Sequence, residues 1–203
     1  EFRRVLFRSL ALPVVPGEKT EGERFPGADN TYTCETMMSD KKALQAGTSH
    51  YLGQNFAKAF EIQFQNKNGE MEFAYTTSWG VSTRLIGALI MTHSDNDGLV
   101  LPPRIAPTKA VIVPISTDDA KLEQTIVPKA KELQAELNKV LGGRFTQIDT
   151  QFHIRPGDRF FYHLQKGVPL RLELGEKEYA AEKLRVVRRD TGEKIDIAWS
   201  DRS

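Results

Sequence analysis

Hydrophobic positions recur with two different spacings along this chain. In "EIQFQ" and "MEFAYTTSW" they alternate with polar neighbours, Ile62 and Phe64 in the first run and Met71, Phe73 and Tyr75 in the second, and "NKNGE" lies between. Two period-two runs around an Asn-Gly turn predict an antiparallel hairpin. Before them, "NTYTCETMM" alternates towards a strand or a short helix. After them, "TTSWGVSTR" leads into "LIGALIMTH", an apolar run too short for a membrane and suited to a helix buried on most sides. Residues 13–30 show no period; Gly, Pro, Glu and Lys around Phe25 predict an ordered loop.

The rhythm changes after "SDNDGLVLPPRIAP", where Pro102, Pro103 and Pro107 forbid a helix and mark a stiff connector. A domain boundary is expected near Pro107. "KAVIVPI" is a nearly continuous apolar strand, the pattern of a sheet covered on both faces. Leu122, Ile126, Leu133, Leu137 and Leu141 then form a helical stripe, with Asp118 or Asp119 at its start, Gly142 at its end, and Pro128 either kinking it or opening its main segment. "RFTQIDT" reads as a strand, "PGDRFFYHLQKG" as a helix with Pro156 in its first turn, and "VPLRLEL" and "KLRVVRR" as strands. The order β-α-β-α-β-β predicts a compact α/β domain with a mixed sheet over residues 108–203.

Local chemistry leaves "QAGTSHYLGQNFAKAF" ambiguous. Thr48 or Ser49 could cap the short amphipathic helix that closes the stretch by accepting its free N–H groups, which is the plainer reading. Alternatively these groups line a polar pocket whose backbone a ligand approaches closely at Gly47.

Composition narrows the classes. With 28 Lys and Arg against 27 Asp and Glu there is no global positive field, so contact with nucleic acid must be local. Cys34 is the single cysteine, which excludes an internal disulfide and multi-cysteine metal sites within this chain and fits a reducing, cytoplasmic setting. No metal ligand set is expected. The opening "EFRRVLFRS" (residues 1–9) is expected to be a non-native leader outside the fold. "LALPVV" is short and interrupted by Pro13, so neither export nor a membrane partner is expected.

"KTEGERFPGA", "QAGTSHYLGQNF", "TTSWGVSTRLIGALIMTH" and "DNDGLVLPPRIAP", in that order before the α/β module, resemble prolyl-tRNA synthetases of the archaeal and eukaryotic-like type, which are class II enzymes. The resemblance runs from about Pro13 to Trp199. It implies an α+β assembly: residues 10–107 as the C-terminal part of an antiparallel class II catalytic core with its third motif, then an anticodon-binding domain. It implies ATP-dependent activation of proline and transfer to tRNA(Pro) in a homodimer, with Mg2+ accompanying ATP on ligands mostly outside this chain. "SWGVSTR" is similar to the third motif, whose arginine, here Arg84, meets the triphosphate; a guanidinium fork suits phosphate oxygens and keeps its charge. Gln45, Thr48 and Ser82 match nucleotide contacts, and Phe25, His50, Trp79 and Gly80 match the proline pocket. His50 is expected only to shape that pocket, since the substrate carboxylate is itself the nucleophile.

In the module, the resemblance gives Phe160 a stacking role, Lys177 a donor to guanine edges, and Arg155, Arg159, Lys166 and Arg171 phosphate contacts. The plainer alternatives are helix core for Phe160 and a solvated face for the cations. Leu164 departs from the family, standing where relatives can carry a glutamate that accepts from guanine. The first and second class II motifs, with their dimer contacts and second arginine, do not occur in this sequence, so the chain is expected to be truncated and inactive alone. A competing reading is a non-catalytic relative that binds tRNA or senses proline; Gln45, Thr48 and Arg84 favour the enzyme, because an RNA binder needs no triphosphate clamp.

Overall fold

A computed structural model describes residues 2–201, so Glu1, Arg202 and Ser203 of the expected leader and second domain lie outside the described residues. The chain forms two compact units, Glu1–Thr92 and His93–Ser203; Pro107 lies within the second. Among the described residues no helix is long and apolar enough to cross a membrane.

The first unit opens with α1 (Phe2–Ser9), in the stretch expected to stand outside the fold; Leu6 is nevertheless 1% exposed, and its carbonyl accepts from the Leu12 N–H. A four-stranded antiparallel sheet follows, built from β1 (Val14–Glu18), β2 (Asn30–Met37), β3 (Ala43–Gly53) and, after the helix α2 (Asn55–Ala59) and the hairpin β4 (Gln63–Gln65) and β5 (Met71–Phe73), β6 (Thr76–Gly80). Its spatial order is β1-β2-β3-β6. The expected hairpin is present as β4 and β5.

Two expectations change here. Part of the 13–30 loop is β1, an edge strand; an edge position tolerates Pro16 because only one side of the strand must donate to a neighbour. The helix after β6, α3 (Arg84–His93), is not buried on most sides. Ala88 is its one fully buried residue, packed with Leu12 and Met38 beside Leu85, while Ile86, Ile90 and Met91 are exposed. Its inner stripe meets the sheet, and no described element of this unit covers the rest.

The second unit contains β7 (Ala110–Ile115), α4 (Asp119–Lys121), a π-turn (Leu122–Ile126), α5 (Val127–Leu141), β8 (Thr146–Ile148), α6 (Pro156–Gln165), β9 (Leu170–Gly175), α7 (Glu176–Ala180), β10 (Lys183–Arg188) and β11 (Lys194–Ala198). The sheet order is β11-β10-β9-β7-β8, with β7 parallel to β8 and β9 and the remaining pairs antiparallel. This is the mixed α/β architecture expected, with α7 and β11 added. Asp118 caps the first helical turn through bonds from the Ala120 and Lys121 N–H groups, Pro128 lies in the first turn of α5, and Gly142 ends α5 at φ 69°. Central β7 is buried from Ala110 to Pro114. Ile112, Leu172 and Leu174 pack under α5 through Ile126, Ala130 and Leu133, and Val111 and Val113 pack under α6 through Phe160.

Candidate functional site

The first candidate site is a face of the first unit's sheet, and a bulge creates it. β2 and β3 pair Thr33 with Thr48 and Cys34 with Gly47, but Glu35 with Gln45, so Ala46 is an extra residue. Directly paired residues share a face, and one inserted residue reverses the alternation beyond it. Gln45, Thr48 and His50 therefore all point to the side of Thr31, Thr33 and Glu35. The pairs Thr48 with Gly80 and His50 with Ser78 bring Gly80 and Ser78 to the same side. Gly80 lies beside Thr48, and a Cβ there would touch Thr48 Oγ1 at 3.4 Å.

Phe25 closes one end of this face. Its ring centroid lies 4.9 Å from that of His50, and its N–H donates to Thr31 Oγ1, which also lies 3.0 Å from His50 Nδ1. His50 is thus held by a hydroxyl and an aromatic neighbour. At the other end β6 leads into α3, where Ser82 Oγ accepts from the Arg84 N–H at 3.3 Å. The Arg84 side chain is exposed, and no described residue forms an ion pair with it.

The structure corrects the expected helix cap on this face. Thr48 and Ser49 do not cap α2: both lie within β3, and Gln54 stands at the N-cap, its side chain donating to the Phe73 carbonyl rather than capping the helix. The alternation from Thr48 to Tyr51 fits a strand as well as a cap, and pairing on both sides decides for the strand. A Cβ at Gly47 would make ordinary contacts with Gly80 O and Val81 at 3.6 Å. Trp79 pairs with Ser49, so it lies on the face opposite His50. It is 70% exposed and lines a cleft of about 620 Å3 with Tyr32, Thr33, Cys34, Thr48 and Ser49. It is not a core aromatic either.

The second candidate site is the α6 face of the second unit. Phe160 rests on Val111, Val113 and Val168, and the Arg171 guanidinium lies over its ring at 4.3 Å. Arg171 is also bound to Glu173 Oε1 through Nε at 3.1 Å and Nη2 at 2.9 Å. Phe161 and Tyr162 are half exposed, Arg155 is exposed at the start of α6, and Lys166 reaches over the Tyr162 ring. Lys177 is exposed on α7. Phe160 thus packs on the core with the Arg171 guanidinium over its ring.

Arg159 is turned into the fold and not presented at the surface. It is 3% exposed and forms an ion pair with Asp149 at 3.0 Å. Its Nη1 donates to the Pro114 carbonyl and its Nη2 to the Asp149 carbonyl. β8 pairs with β7 only as far as Ile112, and Arg159 takes over where that ladder stops. Asp149 also meets His163 Nε2 at 2.6 Å. Burial pushes the Asp149 carboxyl up, but the Gln151 N–H, His163 and Arg159 outweigh it and hold the group below its ordinary range.

His163, Leu164 and Arg171 line a cleft of about 380 Å3 whose rim carries Asp95, Arg189 and Lys194. Sequence reading missed Asp149, His163, Asp95 and Arg189. The spacing of Arg159 and His163, one turn apart on a helix, was the available signal for the first pair; Asp95 and Arg189 are 94 residues apart and left none.

Comparison with known proteins bears on both sites. Residues 109–202 match the family described as Anticodon binding domain. Over 200 residues the chain is 51% identical to the proline–tRNA ligase of Clostridium botulinum (strain Loch Maree / Type A3), covering 98% of this chain and 40% of that protein. It is 58% identical over 174 residues to that of Rhodopirellula baltica, covering 85% of this chain and 34% of that protein. With the one from Chlorobium phaeobacteroides (strain BS1) it shares 53% identity over 192 residues, 95% of this chain and 39% of that protein. The chain therefore spans well under half the length of these relatives.

Proposed function

We propose, for a chain that belongs to the proline–tRNA ligase family over the stretch it spans, that its first unit holds ATP and proline on the Gln45–Thr48–His50 face and its second unit reads the anticodon of tRNA(Pro). The observation that carries this is the bulge at Ala46, which turns Gln45, Thr48 and His50 to one side of the sheet. The full enzyme activates proline with ATP to prolyl-adenylate and transfers it to tRNA. It does so as a homodimer in the cytoplasm, in the same reading.

The chemistry asks little of acid or base groups. The proline carboxylate attacks the α-phosphorus and pyrophosphate leaves, so catalysis rests on alignment and on neutralising phosphate charge. Gln45 and Thr48 supply an amide and a hydroxyl toward the nucleotide. Ser82, whose hydroxyl accepts from the Arg84 N–H, orders the entry to α3, and Arg84 extends its guanidinium to the triphosphate. Phe25 and His50 wall the apolar proline ring, and Gly80 leaves room beside Thr48. In this reading Trp79, paired with Ser49 on the opposite face, stands outside that wall. Each methylene of a pocketed side chain is worth about 1–3 kcal/mol, so alanine is activated at a low level.

Mg2+ accompanies ATP in this reaction, yet the described residues gather no group of three or more His, Cys, Asp or Glu able to hold a metal ion. Among the described residues the donors do not make a resident site. An unpaired arginine beside a small-residue sheet face favours the ligase over a non-catalytic tRNA binder.

Two measurements test the reading. The purified chain should bind a tRNA(Pro) anticodon stem-loop more tightly than one with both guanines replaced; equal affinity refutes anticodon reading. Proline-dependent ATP–pyrophosphate exchange should be absent from this chain and present in the full-length enzyme that contains it. Exchange by the chain alone would refute the assignment of a further, essential arginine to the rest of the enzyme.

A further inference from the structure

Two consecutive residues of α6 reach the 380 Å3 cleft with opposite chemistry. Leu164 offers a base only aliphatic surface. His163 offers a ring nitrogen whose character is set by its neighbour. Its Nε2 lies 2.6 Å from Asp149 Oδ2, and the Asp149 carboxyl, held below its ordinary range, is ionised at neutral pH and can only accept. Nε2 therefore donates, and in the neutral imidazole Nδ1 is left as an acceptor. Among the described residues no hydrogen bond is made to Nδ1, while the side chain keeps 12% exposure on the cleft wall.

The surroundings make that acceptor selective. Leu164, Val168 and Val187 give an apolar patch beside His163 within a rim of charged side chains, and a polar edge set on that patch is costly unless His163 matches it. Arg171 lies over Phe160 and is bound to Glu173, so its donors are partly engaged. Lys194 and Arg171 are both opposite Val187 in the strand register, which places Lys194 on the same face and suits it to a backbone phosphate.

We propose that His163 determines base specificity in this cleft, its Nδ1 accepting from the N1–H or 2-amino group of a guanine in a tautomer that Asp149 fixes. Adenine presents a bare N1 acceptor at that edge, so it would set acceptor against acceptor. The proposal rests on the reading that the second unit binds an anticodon, and it supplies the acceptor that Leu164 lacks.

The test is a titration of the whole chain with tRNA(Pro) anticodon stem-loops carrying guanine or adenine at each of the two guanine positions. His163→Gln keeps a donor for Asp149 but has no atom in the place of Nδ1. It should lose about tenfold of the guanine preference at one position and none at the other. His163→Asn places an acceptor near Nδ1 and gives up Asp149, so it should keep more of that preference than Gln. If Gln behaves as wild type and Asn is the defective variant, His163 is structural and the proposal falls. If wild type prefers guanine and both variants keep that preference in full, it falls as well, with anticodon reading intact. A wild-type chain indifferent to both bases overturns the anticodon reading and this proposal together.

Discussion

Arg189 grips Asp95 with two hydrogen bonds of 2.7 Å, Nη1 to Oδ2 and Nη2 to Oδ1, across 94 residues of sequence. The same guanidinium donates from Nε to the Leu164 carbonyl near the end of α6 at 2.9 Å. One side chain thereby joins the strand β10, the helix α6 and the connector that begins at Asp95. Gly98 and Gly167 complete the junction, since a Cβ on either would strike the backbone of Gln165 or Leu99 within 2.8 Å.

The clamp should have an acid limit. Hydrogen bonding from Arg189, with the Asp97 and Gly98 N–H groups, outweighs partial desolvation and lowers Asp95 from 3.8 to about 2. A carboxyl depressed in the folded state contributes stability above its unfolded value and loses it as pH falls through the folded one. Urea midpoints of wild type and Asp95→Asn should differ by a nearly constant amount well above pH 3.8, and the gap should shrink as pH falls through about 2. A gap that does not shrink across that range would assign the clamp's effect to packing instead.

Arg159 should be a stability residue. Removing one member of a buried pair leaves an uncompensated charge, and Arg159→Met should cost about 3 kcal/mol or more in chemical unfolding. Were Arg159 a phosphate contact, the variant would fold normally and show a shallower salt dependence of RNA binding.

Gly142 and Gly167 share φ 69°, but only the second is crowded. Gly142→Ala should cost about 1–2 kcal/mol for the left-handed backbone alone. Gly167→Ala adds a clash with Leu99 and should cost about 2–4 kcal/mol. Equal thermal shifts for the two variants would show that the connector gives way.

In the full-length enzyme, Arg84→Ala should lower proline-dependent ATP–pyrophosphate exchange about 100-fold. Because the side chain is exposed, unfolding should shift by less than about 0.5 kcal/mol. Phe25→Ala should raise the KM for proline about tenfold. Trp79→Ala should leave that KM unchanged; a comparable rise would place Trp79 in the proline pocket after all.

Much of the architecture was legible because it is local. Alternation around Asn68 and Gly69, the Asp118 cap, Pro128 in the first turn of α5 and Gly142 at its end are effects that a short window of sequence carries. The resemblance to a synthetase pointed at Gln45, Thr48 and His50 before any geometry was known. Edge strand β1 escaped notice because Pro16 and Gly17 oppose a strand in isolation, and pairing with Cys34 and Thr33 overrides them.

Residue types and their order along the chain were enough to show the resemblance to proline–tRNA ligases and most of the helices and strands. Which face each side chain occupies was a tertiary matter. One unpaired residue, Ala46, reverses the alternation of β3, and register against β6 sends Trp79 away from His50. Likewise, an arginine in a helix is equally available to a phosphate or to a carboxylate until the fold brings Asp149 and the Pro114 carbonyl against it. Facing and partnership arise from contacts between segments distant in sequence, and no local pattern encodes them.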